Sequence, residues 1–274
     1  MQFAQQQKYE WFKEAYNIQN HPVLEKLESI MRKNWHHRIE PSVKISRDEI
    51  DPFRFNLWFW DQKKLPGVIR LFMEMIRFSE TEYNVKFNLE PYRQLFDEGM
   101  KMSHLRVLAI GVDLRPKDVN KSRLKIGVAL KNDFKHLTRK HYKPQTGSEE
   151  LDEFFYEHTR LIGFDFGFDG SCRTKIYPGF DEGSAEHPLF AGHFSEPELE
   201  LLAKGKRFFY SVVNNSEPEK RVLTITILGK FLKPMLAHEK RLHWTPEEGR
   251  YIFSFLPTEM KAGKIKHFNL YYWE

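Results

Sequence analysis

The sequence predicts an α+β fold, a ten-stranded antiparallel β-barrel with a polar lumen surrounded by a ring of helices. Three observations predict it. Period-two alternation of apolar and polar residues recurs in ten short segments, as in strands with one buried face. The segments come in five pairs, and a helix-like stretch precedes each pair. Five antiparallel hairpins expose two edges unless the sheet closes on itself, and helices must then cover its apolar face. Eight strands enclose little more than their own side chains, so a barrel of ten leaves room for a ligand.

The elements follow in chain order. "HPVLEKLESIMRKN" has helical periodicity and precedes strands at 37–46 and 52–60. "LPGVIRLFMEMIRFSETEY" and "LEPYRQLFDEGM" lead to strands at 104–113 and 122–131. "SEELDEFFYEHTRLI" leads to 163–168 and 172–178, where Phe164, Phe166 and Phe168 share one face before the Asp169-Gly170 turn. Beyond that turn Cys172, Thr174 and Ile176 share one face, and Arg173, Lys175 and Tyr177 the other. "HPLFAGHF" (187–194) reads as a loop. "SEPELELLAKGK" carries Ser195 as N-cap, Glu198 closing a capping box and Gly205 at the stop, ahead of strands at 207–214 and 221–228. "GKFLKPMLAHEKRLHW" is helical but interrupted by Pro234, and a capped turn in "TPEEG" (245–249) precedes strands at 249–256 and 264–273. No linker rich in Gly, Ser or Pro divides the chain, so residues 1–274 read as one domain.

Composition bounds the function. A chain that is 15% aromatic, with 24 Phe, is globular. A single cysteine, Cys172, excludes an internal disulfide framework and fits a reducing compartment; its register places it in the core. No stretch approaches the roughly 18 apolar residues of a membrane span, and "MQFAQQQKYEWFKEAY" lacks the apolar centre of a signal peptide. The expectation is a soluble cytoplasmic protein without a membrane partner. A net charge of +5 and a pI near 9.0 favour an anionic partner. His36 and His37, adjacent on a strand, point to opposite faces and chelate poorly. No HExxH, paired CxxC, phosphate-binding GxxxxGK[ST] or GxGxxG motif occurs, and neither does an Asp-Asp pair.

The apolar register of each strand faces the helices, which leaves the other register for the lumen. That register holds Glu40 and Lys44, then Arg54, Asn56, Trp58 and Trp60, then Gly111 and Asp113. It continues with Arg123, Lys125 and Gly127, and with Asp165, Gly167, Arg173, Lys175 and Tyr177. Tyr210, Thr224, Arg250, Ser254, His267, Asn269, Tyr271 and Trp273 complete it. Charges do not enter an enclosed space unless paired or met by a counter-charge, so a cationic, aromatic-walled lumen points to a polyanion site.

Several segments resemble the cyanobactin peptide prenyltransferases: "VLAIGVDLR", "LKIGVALK", "LIGFDFGFDG", "IY" at 176–177 and the closing "NLYYW". The similarity runs from about residue 37 to the end and is strongest over 105–180. The resemblance implies the ABBA, or prenyltransferase-barrel, fold. It also implies transfer of an isoprenoid from its diphosphate to a Tyr, Trp or His side chain of a ribosomally made, usually macrocyclic, peptide. Mg2+ is implied as cofactor, with no protein ligand identified. In the same terms Glu40 is the base or cation stabiliser, and Arg54, Lys125 and Tyr177 face the diphosphate. Strand register adds Lys175, Arg250 and Tyr271 to the diphosphate site. Gly127 and Gly167, with Tyr210 and Trp273, are expected around the prenyl chain and its cation, the glycines leaving space that favours geranyl over dimethylallyl. Trp58, Trp60 and His267 are expected to meet the peptide. The protein reads as a monomer with no nucleic-acid partner. Two readings without catalysis stand beside this one: a basic aromatic barrel stacking nucleic-acid bases, and a carrier of phosphorylated lipids.

Overall fold

The computed structural model describes residues 2–33, 37–47, 49–97, 99–141, 146–213, 221–245, 248–263 and 265–273. The ten expected strands are present: β1 His37–Ser46, β2 Glu49–Phe59, β3 Leu105–Asp113, β4 Arg123–Leu130, β5 Thr159–Gly167, β6 Cys172–Asp181, β7 Arg207–Val213, β8 Val222–Leu228, β9 Arg250–Phe255 and β10 His267–Tyr272. They hydrogen-bond in the order β1-β10-β9-β8-β7-β6-β5-β4-β3-β2 and close into a barrel, so each strand pairs with its neighbours in the chain. Closure leaves no unpaired edge to template aggregation.

Helices α1 Gln2–Ala15, α2 Pro22–Lys33, α3 Leu65–Tyr83, α4 Glu90–Asp97, α5 Glu149–Glu157, α6 Pro188–Ala191, α7 Glu196–Ala203, α8 Gly229–Met235 and α9 Pro257–Lys261 fill the connections. None is long and apolar enough to cross a membrane. The capping box of α7 forms as expected, with the Ser195 N–H donating to Glu198 Oε2 at 2.7 Å. Helix α8 contains Pro234. "HPLFAGHF" is not all loop: the His187 ring caps the Leu189 N–H, and Pro188 opens the single turn of α6. Helix α5 stops sooner than its pattern suggests. Thr159 and Arg160 instead begin β5, where the His158 carbonyl accepts from the Gly179 N–H at 2.8 Å. His36, and Pro246 and Glu247 of the expected capped turn, lie outside the described residues.

The chain divides into two compact units. The first comprises Met1–Pro41, Pro52–His141 and Leu161–Lys175. Its core is the apolar face of β2 to β5. Phe166 packs on Phe72 of α3, Phe164 and Phe166 meet Tyr92 of α4, and Phe55 is covered by Tyr9 and Phe12 of α1. Val68, Phe72, Met75 and Ile76 form the buried stripe of α3, at the spacing a helix requires.

The second unit comprises Ser42–Asp51, Tyr142–Arg160 and Ile176–Glu274. Phe155 of α5 and Phe190 of α6 cover Phe180 and Phe208. Tyr210 corrects the register expected for β7. It pairs with Leu223, shares the covered face with Phe208 and Ile225, and lies tilted against Phe155 with ring centroids 4.9 Å apart. Its hydroxyl receives a hydrogen bond from Arg221 Nη1 at 3.1 Å. The segment "RFFYSVV" is apolar on both faces, so alternation alone could not orient it; Phe209 takes the opposite face, facing Thr224.

Candidate active site

Pairing of β2 to β5 sets three rows of side chains on the face opposite the apolar core. The first is Arg54, Asp113, Arg123 and Gly167; the second is Asn56, Gly111, Lys125 and Asp165. The third is Trp58, Ala109, Gly127 and Gly163. Neighbours along a row stand roughly 5 Å apart, close enough for charges to interact directly.

Two buried carboxylates gather the cations of the first two rows. Asp113 Oδ2 lies 3.3 Å from Arg54 Nη1 and 3.5 Å from Lys125 Nζ, and Oδ1 lies 2.5 Å from Arg115 Nη1. Asp165 Oδ2 lies 2.5 Å from Lys175 Nζ and 3.9 Å from Arg123 Nη1. Burial opposes ionisation of Asp113, but the charges of Arg54, Lys125 and Arg115 outweigh it and hold its carboxyl far below the usual range. Burial likewise works against the Asp165 carboxylate, and Lys175 and Lys125 hold its pKa low. Lys125 is lowered to about 8, first by burial and then by Arg54, with Asp113 acting against both. Among the described residues, five cationic side chains thus gather on these two carboxylates, a cluster of positive charge suited to an anion.

Glu40 of β1 stands beside this array, 3% exposed. Asn56 Nδ2 donates to its Oε1 at 2.7 Å, and the Trp58 side chain also favours its ionised form. Burial raises its pKa to about 7, with the Asn56 hydrogen bond and the charge of Lys8 acting in the opposite direction. A carboxyl poised near neutral pH can accept or hold a proton during turnover. Asn56 lies over Gly111, where an added Cβ would collide with Asn56 Oδ1 and would stand 2.5 Å from the Phe55 carbonyl. Gly111→Ala is therefore expected to cost about 1–3 kcal/mol through overpacking. Because it also displaces Asn56, it should raise the Glu40 pKa. Denaturant melts and a 13C titration of the Glu40 carboxyl check both effects, and an unchanged titration would show that Asn56 does not depend on Gly111.

The two glycines assigned to the prenyl slot part company. A Cβ on Gly127 would meet Leu161 Cδ1 at 3.5 Å and Ala109 Cβ at 3.6 Å, which is ordinary contact. Gly127, Gly163 and Ala109 make a run of small residues continuing the row of Trp58. Gly167 is a correction. Its side-chain space is taken by Asp169 Oδ1 and by Ser171 Oγ, which would be 2.6 Å from its Cβ. The hairpin turn is folded back there: the Gly167 N–H donates to the Ser171 carbonyl at 2.7 Å, Ser171 Oγ donates to Asp169 Oδ1 at 2.6 Å, and Gly170 adopts φ 79°. Gly127→Phe is expected to shift kcat/KM towards a C5 over a C10 isoprenoid diphosphate, whereas Gly167→Ala should lower stability and leave that ratio alone. Paired kinetics with the two donors decide it, and a ratio that moves only in Gly167→Ala would reverse the assignment.

The first unit brings together Glu40, Arg54, Lys125, Lys175, Trp58 and Gly127 of the expected site. Trp60 follows β2 in the same unit and is 45% exposed. Tyr177, Arg250, Tyr271, Trp273 and His267 belong to the second unit. There Tyr271 stands opposite Ser42 and Ile252, Arg250 opposite Leu228, and the Trp273 N–H donates to the Arg250 carbonyl at 3.2 Å. The His267 ring is hydrogen-bonded to the Glu259 carboxylate, which also accepts the backbone N–H groups of Lys266 and His267. Tyr177 is half-buried on β6, between buried Ile176 and Pro178. Burial pushes the Cys172 thiol up to about 12, which suits a packed residue rather than a nucleophile.

Sequence reasoning gave no role to Asp113, Asp165, Arg115 or Asn56. The register does place Asp113 across from Arg54 and Arg123, a signal that was there to be used. Arg115 lies beyond the end of β3, where alternation no longer applies. Among the described residues no group of three or more His, Cys, Asp or Glu side chains could hold a metal ion. Asp113 and Asp165 are already occupied by cations. These residues do not fit a protein-held Mg2+, and no reaction step is assigned to one.

Residues 5–223 match the model of a family of unknown function, DUF5838. The chain belongs to that family. No curated protein matches its sequence. In structure this DUF5838 member is similar to the 5-dimethylallyltryptophan synthase of Streptomyces coelicolor, with a TM-score of 0.56 at 11% identity over 95% of this chain and 93% of that one. It is similar to the same synthase in complex with DMASPP and Trp, with a TM-score of 0.57 at 12% identity over 95% and 91% of the two chains. PriB in binary complex with product diphosphate gives a TM-score of 0.54 at 12% identity, over 86% of this chain and 79% of that one. At such identities the shared property is the fold, the closed antiparallel barrel of the ABBA prenyltransferases.

Proposed function

We propose that the protein is a prenyltransferase that moves an isoprenoid, geranyl or dimethylallyl, from its diphosphate to an aromatic side chain of a ribosomally made peptide. The observation that carries this reading is the buried cation array on Asp113 and Asp165, set beside a Glu40 carboxyl whose pKa is about 7. Structures of the same fold solved with DMASPP and Trp, or with diphosphate, support a diphosphate donor and an aromatic acceptor. The peptide acceptor rests on the resemblance of "GVDLR" and "LIGFDFGFDG" to the cyanobactin enzymes. Side-chain exposures of 6% for Arg54 and 17% for Lys125 suit an enclosed anion better than an outer nucleic-acid track.

In the proposed reaction the allylic C–O bond of the donor breaks, and its electron pair leaves with the diphosphate. Arg54, Lys125 and Lys175 stabilise that charge, usually the largest single contribution to such catalysis. The Trp58 face stabilises the allylic cation by about 0.5–2 kcal/mol and helps exclude water. An electron-rich atom of the acceptor ring bonds to the allylic carbon, and the displaced proton passes to Glu40. The products are a prenylated peptide and diphosphate.

Mass spectrometry tests it directly. The protein is incubated with dimethylallyl or geranyl diphosphate, with and without Mg2+, and with Tyr-, Trp- and His-containing peptides or free tryptophan. A prenyl mass added to a peptide supports the reading. Modification of free tryptophan alone would remove the peptide, and no adduct on any acceptor would remove the transferase.

A further inference from the structure

We propose that Asp113 is a positioning residue, a fixed counter-ion that holds Arg54, Arg115 and Lys125 together as one anion-binding unit. The proposal rests on reading the cation array as a diphosphate site. Asp113 is the last residue of β3, opposite Arg54 on β2 and Arg123 on β4. Its side chain is 6% exposed, and both carboxylate oxygens are engaged: Oδ1 by Arg115 at 2.5 Å, Oδ2 by Arg54 at 3.3 Å and Lys125 at 3.5 Å. One carboxylate therefore ties cations from three places in the chain: β2, the segment after β3, and β4.

Without it, three like charges, one buried and two only partly exposed, would repel one another and spread apart. The Lys125 ammonium lies 3.5 Å from Asp113 Oδ2, and its cross-strand neighbour Asp165 is taken up by Lys175. Among the groups around Lys125, Asp113 on β3 and Asp165 on β5 favour the ammonium, while Arg54 on β2 and Lys175 on β6 oppose it. Asp113 acts more strongly than Asp165, and Asp165 has its own close partner in Lys175 at 2.5 Å. Asp113 thus both places the Lys125 ammonium and keeps it charged.

The proposal makes a prediction opposite to that of a simple charge tally. Removing a negative charge from an anion site should tighten anion binding if only net charge counts. If Asp113 positions the cations, Asp113→Asn should bind inorganic pyrophosphate at least tenfold more weakly at pH 8.5. The Lys125 ammonium should also lose its proton at a lower pH. Calorimetry with pyrophosphate on the full chain reads the first effect. A 13Cε-lysine titration, with the Lys125 signal assigned by its loss in Lys125→Arg, reads the second. Equal or tighter pyrophosphate binding with an unmoved Lys125 midpoint overturns the proposal and leaves the diphosphate reading standing. No pyrophosphate binding by the unmodified protein overturns both. If Asp113→Asn gives no cooperative melt, Asp113→Glu keeps the charge but moves it by one methylene: weaker binding supports positioning, and unchanged binding overturns it.

Discussion

Glu40→Gln is expected to lower kcat for prenyl transfer by about 10²–10⁴, the range typical of a lost acid–base group, while donor binding is retained. Glutamine keeps the shape and the Asn56 contact but takes up no proton. The pH dependence makes the test specific. Glu40 must be ionised to accept a proton, so kcat/KM should rise with pH through about 7. In the proposed reaction Lys125 binds diphosphate as the ammonium, so kcat/KM should fall again through about 8. These two limbs belong to an interacting pair and are read as apparent values. Glu40→Gln should abolish the acidic limb and spare the alkaline one. A variant with undiminished turnover at saturating peptide would remove Glu40 from the mechanism. Stability offers an independent check. The folded pKa of Glu40 is raised from 4.5 to about 7, so its contribution is present below the unfolded value and lost as pH rises through 7. Glu40→Gln should therefore gain stability over the unmodified protein between urea melts at pH 5 and pH 8, by up to a few kcal/mol.

Arg54→Ala and Lys125→Ala should each lower kcat/KM for the donor by about 10²–10³, the cost of removing one preorganised group from a developing anion. Peptide KM should barely change. The two losses should not add, because in the proposed site both side chains act on one diphosphate, and both are held by Asp113 Oδ2. Removing either also exposes the buried Asp113 carboxylate to a penalty of about 3–5 kcal/mol, so each variant needs a melt beside its kinetics. Lys125→Arg separates charge from titration: arginine stays protonated, and the alkaline limb should move well above 8. Unchanged donor kinetics in both alanine variants would mean that the array serves the fold and not the donor.

Much of this protein could be read before its structure was known. Strands with one buried face announce themselves by alternation, so the five hairpins and their closing order followed from spacing and from the need to hide two edges. The α7 capping box is local chemistry and was equally legible. The placing of Arg54 and Lys125 on one face needed only strand register, and Lys175 joins them through Asp165.

What escaped the sequence depends on atoms distant along the chain or on packing that alternation does not encode. "RFFYSVV" is apolar on both faces, so only the aromatic rings of α5 and the residues around α6 could turn Tyr210 outwards. Gly167 looked like empty space, but Asp169 and Ser171 of its own turn fill it. Arg115 reaches Asp113 from beyond a strand end, where register says nothing. The sequence by itself determined the barrel, its strand order and the cationic character of one face, because these follow from periodicity and from closing a sheet. Only the tertiary structure decided which carboxylates the cations share and that Glu40 sits near neutrality, because a pKa depends on burial and on neighbours such as Lys8, Asn56 and Lys125 that folding alone brings together.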